Sequence, residues 1–167
     1  MSDAREALAV VDMPGLRVAL VAISGATAAF IPGAMPAIEP LPVGEPHPLP
    51  ADLPAGLAPR RLGEGYCAVD ASGELAVSWI DLALPPAETL ALAWDLRDGP
   101  PPALEALVVG GRPAAFAAAA WSAASRERLP LLVLRSGRDS CWLVGGRLSR
   151  VELARVAASL PSTARQA

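Results

Sequence analysis

The sequence predicts an α+β domain: a curved, mostly antiparallel sheet with a C-terminal helix packed on one face and a short N-terminal helix. Three observations predict it. Two stretches alternate apolar and polar residues on either side of turn-forming residues, which is the pattern of a β-hairpin. Residues 66–80 make the first, turning at 70–73, with Leu75, Val77 and Trp79 on one face and Ala76 and Ser78 on the other. Residues 131–144 make the second, turning at 136–139. The third observation is a helix signalled at both ends. Ser149 and Glu152 form a capping box, Pro161 stops the helix, and Val151, Leu153, Val156, Ala157 and Leu160 supply a wide apolar stripe. Gly145-Gly146-Arg147 leads from the last strand into this helix, so the helix is expected to fold back onto the sheet it leaves.

Residues 2–11 predict the short N-terminal helix, because Asp3 with Glu6 reads as a cap and Asp12-Met-Pro-Gly15 closes the segment. Residues 16–23 then read as a strand between Gly15 and Ser24-Gly25, which completes an N-terminal unit over 1–31. Residues 18–38 form an uncharged run long enough to span a bilayer, although Gly25, Pro32, Gly33 and Pro36 interrupt it. A membrane segment at 18–38 therefore stands as an alternative to a free domain. A secretory signal does not fit, since acidic Asp3, Glu6 and Asp12 stand where such a peptide is basic.

Residues 32–59 carry a dense set of prolines, which withholds backbone donors and favours extended geometry, the mark of a linker or a surface-draped loop. The main domain follows over 60–161, with a tail at 162–167. Within it residues 89–95 alternate, with Leu90, Leu92 and Trp94 on one side, and residues 104–109 form another strand ending at Gly110-Gly111. The alanine run 114–120 fits helix or strand by pattern; an antiparallel return after that turn favours strand.

A chain of 167 residues fits one domain, and a 53% hydrophobic content with only 4% aromatics means a core of many small contacts. All fourteen basic residues are arginine, scattered in a chain of net charge −3, which disfavours nucleic acid as a partner. Cys67 and Cys141 lack metal-ligand spacing. They are a candidate disulfide if their strands are neighbours, and otherwise two buried thiols.

The only histidine, His47, sits between Pro46 and Pro48 with nothing nearby in sequence to orient it as a base, so no nucleophilic triad can be built. The carboxylate pairs Asp95 with Asp98 and Asp81 with Glu88 fall at strand ends or turns, where carboxylates are ordinarily solvated. Gly110-Gly111 and Gly145-Gly146 lack the spacing of phosphate loops and read as turns. The four tryptophans Trp79, Trp94, Trp121 and Trp142 lie on four separate strands. They either pack the core or line one concave sheet face that receives a partner or an apolar ligand. The expectation is a binding domain, not an enzyme, with no catalytic residue, cofactor or metal.

The order Val109-Gly-Gly-Arg-Pro-Ala114, residues 131–134, Cys141-Trp142-Leu143, Gly146, Leu148-Ser149 and residues 152–160 resembles a known family. It is similar to the extracytoplasmic sensor-type domain of membrane-anchored anti-sigma factors. Leu53-Pro-Ala-Gly-Leu57, Tyr66 and residues 73–79 are similar to that domain's proline-led entry and first hairpin. Arg5-Glu-Ala7 and residues 14–18 are similar to the stretch that follows the membrane span in such proteins. The sigma-binding module and its His-x-x-x-Cys-x-x-Cys signature have no counterpart here, so sigma binding does not carry over. The resemblance implies a regulatory or sensor-type domain in the cell envelope that binds a protein or peptide. A structural accessory subunit of a larger membrane complex, anchored by 18–38, is the alternative.

Overall fold

The computed structural model describes residues 7–22, 37–83, 89–94, 99–122 and 127–162. The chain is mostly β, with one helix among the described residues. Where a helix was expected over 2–11, residues from Ala7 onward form strand β1 (Ala7–Met13), which turns through Pro14-Gly15 into β2 (Leu16–Ala22). Residues 2–6 lie outside the described residues. Gly15 takes φ +83°, so the turn closes in two residues and sets Val11 opposite Val18 and Met13 opposite Leu16. The Asp3/Glu6 signal is local and weak. Cross-strand burial of Val11, Leu16 and Val18, each at most 6% exposed, outweighs it.

Two antiparallel meanders lie side by side in one eight-stranded sheet. The first is β3 (Ile38–Glu39), β4 (Ala58–Leu62), β5 (Gly65–Val69) and β6 (Leu75–Ala83). The second is β8 (Leu104–Val109), β9 (Arg112–Ser122), β10 (Glu127–Gly137) and β11 (Ser140–Gly146). β6 and β11 join them, setting Trp79 opposite Val144 and Asp81 opposite Trp142. The alanine run is strand β9, as the antiparallel return required, with Ala115 opposite Val133 and Ala117 opposite Leu131. Between the meanders, β7 (Thr89–Trp94) leaves this sheet and pairs in parallel with β2, making a second sheet of order β1-β2-β7.

The large sheet is covered on both faces. Helix α1 (Arg150–Ala158) packs Leu153, Val156 and Ala157 against Val77, Trp142 and Val144 on one face. Its capping box is formed: Glu152 N–H donates to Ser149 Oγ and Ser149 N–H donates to Glu152 Oε1, both at 3.2 Å. On the opposite face the small sheet buries Val18, Leu20, Leu90 and Leu92 against Val133, Cys141 and Leu143.

The proline-rich stretch is draped over the helix side of the large sheet. Leu49, Leu53 and Leu57 pack into that core, and Ala51 N–H donates to the Ser159 carbonyl at 3.2 Å. The candidate membrane run divides differently from the expectation: residues 18–22 belong to β2 and Ile38 to β3, while 23–36 lie outside the described residues. No helix among the described residues is long and apolar enough to cross a membrane. Gly145-Gly146 is strand, not a turn, pairing with Ser78 and Val77. A Cβ on Gly146 would lie 2.6 Å from Val77 Cα and closer still to the Ala76 carbonyl oxygen, so only glycine fits there.

Candidate functional site

Trp79, Trp94 and Trp142 do not line one concave face. Trp79 and Trp142 point into the core beneath helix α1, each 1% exposed. Their indole N–H groups donate to the carbonyl oxygens of Pro48 at 2.9 Å and Pro161 at 3.0 Å. Trp94 belongs to the small sheet, is 4% exposed, and has the Arg128 guanidinium 4.9 Å from its ring. The side chain of Trp121 lies outside the described residues. Alternation along each strand sends these rings inward, and each described indole finds a carbonyl, so the three rings are core and not a partner surface.

Cys67 and Cys141 are free and buried. Their strands, β5 and β11, are separated by β6, and Cys67 sits opposite Ser78 whereas Cys141 sits opposite Leu82. A disulfide would need neighbouring positions, so the candidate pairing is corrected to two thiols. Burial pushes the Cys67 thiol up to about 11 against the pull of Arg60, and the Cys141 thiol up to about 11 against the pull of Arg135.

His47 is half-buried and oriented, contrary to the picture of an unsupported loop residue. Its Nε2 lies 2.9 Å from the Pro42 carbonyl, which only accepts, so Nε2 carries the proton and Nδ1 faces the Tyr66 hydroxyl at 3.3 Å. Tyr66 in turn stacks over Trp79 at 6.3 Å between centroids. These contacts fasten the draped segment. Asp81 Oδ1 accepts from Ser136 Oγ at 2.8 Å, and Ser140 Oγ lies 2.8 Å from the same hydroxyl. Glu88, Asp95 and Asp98 lie outside the described residues. Among the described residues no group of three or more His, Cys, Asp or Glu side chains could hold a metal.

The surface that sequence reasoning missed is the outer face of the small sheet. Inward alternation of Val11, Val18 and Leu90 turns their neighbours away from the large sheet. Register then aligns two outer rows across three strands: Val10, Ala19 and Ala91, and beside it Asp12, Arg17 and Thr89. Val10 is 43% exposed, and Asp12 and Arg17 are exposed as well. An open depression of about 570 Å³ lies at the turn end of this face, lined by Asp12, Arg17 and Thr89 with the Met13–Leu16 turn. The Arg135 guanidinium donates to the Gly15 carbonyl from behind and holds that turn on the large sheet.

The signal for this face was present in the residues. The strands ALAVVDM, LRVALVA and TLALAW are nearly continuous apolar runs, the composition of strands covered on both faces. The large sheet covers only one. No protein-family model matches this chain, and comparison with curated proteins and with solved structures finds no similar one.

Proposed function

We propose that this chain is a non-catalytic regulatory or sensor-type domain that works by binding protein through the outer face of its small sheet. One observation carries the reading: β1, β2 and β7 have the composition of strands buried on both sides, while Val10 on their outer face stays 43% exposed. The polar side chains of the helix side serve the fold instead. His47 and Tyr66 hold the draped segment, Ser136 and Asp81 close the sheet end, and Ser149 caps the helix.

The kinship we propose is with the outer domain of membrane-anchored anti-sigma factors, and an extracytoplasmic setting goes with it. Its support is the run β8, β9, β10, β11 and α1, which places the quoted motif residues on consecutive strands and a capped terminal helix.

Site-specific photocrosslinking tests the binding reading. A photoreactive residue at Val10 is expected to give adducts in the native setting, and one at Val43, which is 100% exposed on the draped segment, is expected to give none. Equal labelling at both positions, or none at either, would refute it.

A further inference from the structure

The partner that the outer face of the small sheet fits is a second copy of the same chain. We infer that two chains associate through this face about a two-fold axis that runs along the strands and lies between β1 and β2. The inference rests on the binding reading above and names its occupant.

The face is complementary to itself. A two-fold interface must match a patch to itself, so a residue i that meets j requires j to meet i. Asp12 and Arg17 are cross-strand partners on β1 and β2, as are Val10 and Ala19 in the adjoining row. An axis between and along these strands lays each β1 over β2 of the second copy. Asp12 then faces Arg17 of the second copy, and the reciprocal pair forms by symmetry. In the next row Val10, the protruding side chain, settles over Ala19, the shallow one, twice. Charge and shape are thus both self-complementary under one operation.

Other two-folds do not achieve this. An axis running along β2 would set Arg17 against Arg17, and an axis across the strands would set the charged row against the apolar end of the sheet. A foreign partner would need no such internal pairing of acid with base and large with small.

Size sets the strength. Strands about 4.8 Å apart and rising about 3.3 Å per residue give the two seven-residue strands that overlap, β1 and β2, a face of roughly 20 by 10 Å. That is well below the ~800 Å² each partner contributes to a standard interface, so the association is reversible and depends on concentration.

Sedimentation velocity of the full chain tests this. The wild type is expected to move from 17.1 kDa toward twice that mass as concentration rises through the micromolar range. Asp12→Arg alone and Arg17→Asp alone are each expected to stay monomeric, since both set like charges face to face. Mixed one to one, they are expected to recover the dimer, because each Arg-rich face then meets an Asp-rich one. Intramolecular effects of either substitution cannot produce that recovery.

A wild type that remains at 17.1 kDa at every concentration overturns the proposal without any variant. Dimers in either single variant, or no recovery in a mixture whose near-ultraviolet circular dichroism shows folded chains, overturn it too. Failure of this inference is distinct from failure of the binding reading. A monomeric wild type with Val10 adducts to a different protein removes the second copy as partner and leaves the face a binding site; a monomer without adducts removes both.

Discussion

The Trp79 indole donates its N–H to the Pro48 carbonyl at 2.9 Å, which pins the draped proline-rich segment, held at its flank by His47 and Tyr66, to the centre of the large sheet. Pro48 has no N–H of its own to offer, so the link depends on the indole as donor. Trp79→Phe removes the donor and one ring of a fully buried indole. The expected cost is about 2–3 kcal/mol of stability, the lost bond and the cavity together, read in a urea titration. Hydrogen exchange at the Ala51 amide, which is bonded to Ser159, is expected to speed up while exchange in β10 and β11 stays slow.

Gly146→Ala is expected to destabilise the chain by at least ~2 kcal/mol, because the new methyl would press on the Ala76 carbonyl and on Val77 Cα, both backbone atoms held in β6. Gly111→Ala places its methyl in open space and meets only the strain of a φ of +77°. Thermal melts of the two variants compared with wild type check the difference. A Gly146 variant that melts with or above the Gly111 variant would contradict the close approach.

Ser149→Ala removes the side chain that accepts from Glu152 N–H at the start of α1, and a lost N-cap costs about 1 kcal/mol. In a chain of this size that is a fall of roughly 2–4 °C in melting temperature. Ser149→Asp, which still accepts that bond, is expected to melt within about a degree of wild type.

Stability is expected to fall as the pH rises from 9 toward 11. In the unfolded chain the Cys67 and Cys141 thiols ionise near 9.0, whereas burial in the folded chain holds both up to about 11. Above pH 9 the unfolded state therefore binds fewer protons than the native one, and the linkage favours unfolding. Urea midpoints measured between pH 8 and 11 check this, and Cys67→Ala with Cys141→Ala together should flatten the slope. A thiol reagent at pH 8 is expected to label neither cysteine until denaturant is added.

The sequence revealed the parts of the fold that are local. Alternation in Val77 and Trp79 and in Leu90, Leu92 and Trp94 identifies strands because each has an inner side, and the Ser149/Glu152 capping box needs only four residues to be recognised. Leu75, expected on the face of Val77 and Trp79, packs instead with Cys67 and Val69 past the bulge at Ala68/Val69. What stayed hidden is non-local. Alternation tells which face of β7 is buried but not that its neighbour is β2, and the same blindness turned residues 7–11 into an expected helix. Of the two readings open for the tryptophans, Trp79, Trp94 and Trp142 take the core one, and the outer face of the small sheet went unread because Ala19 and Ala91 look like filler. His47 was misjudged for a related reason: Tyr66, which faces its Nδ1, is nineteen residues away.

The parallel pairing of β2 with β7 also sets an order of assembly. Arg17 meets Thr89 across roughly seventy residues, whereas β8 through α1 are joined by short returns between neighbours. A chain synthesised from its N-terminus makes the β1–β2 hairpin well before the strands that complete its sheet and its core, β7, β10 and β11. Until β10 and β11 have been made, Val11, Val18 and Leu20 have no large sheet to lie on, so the inner face of this hairpin stays uncovered in the nascent chain over that interval.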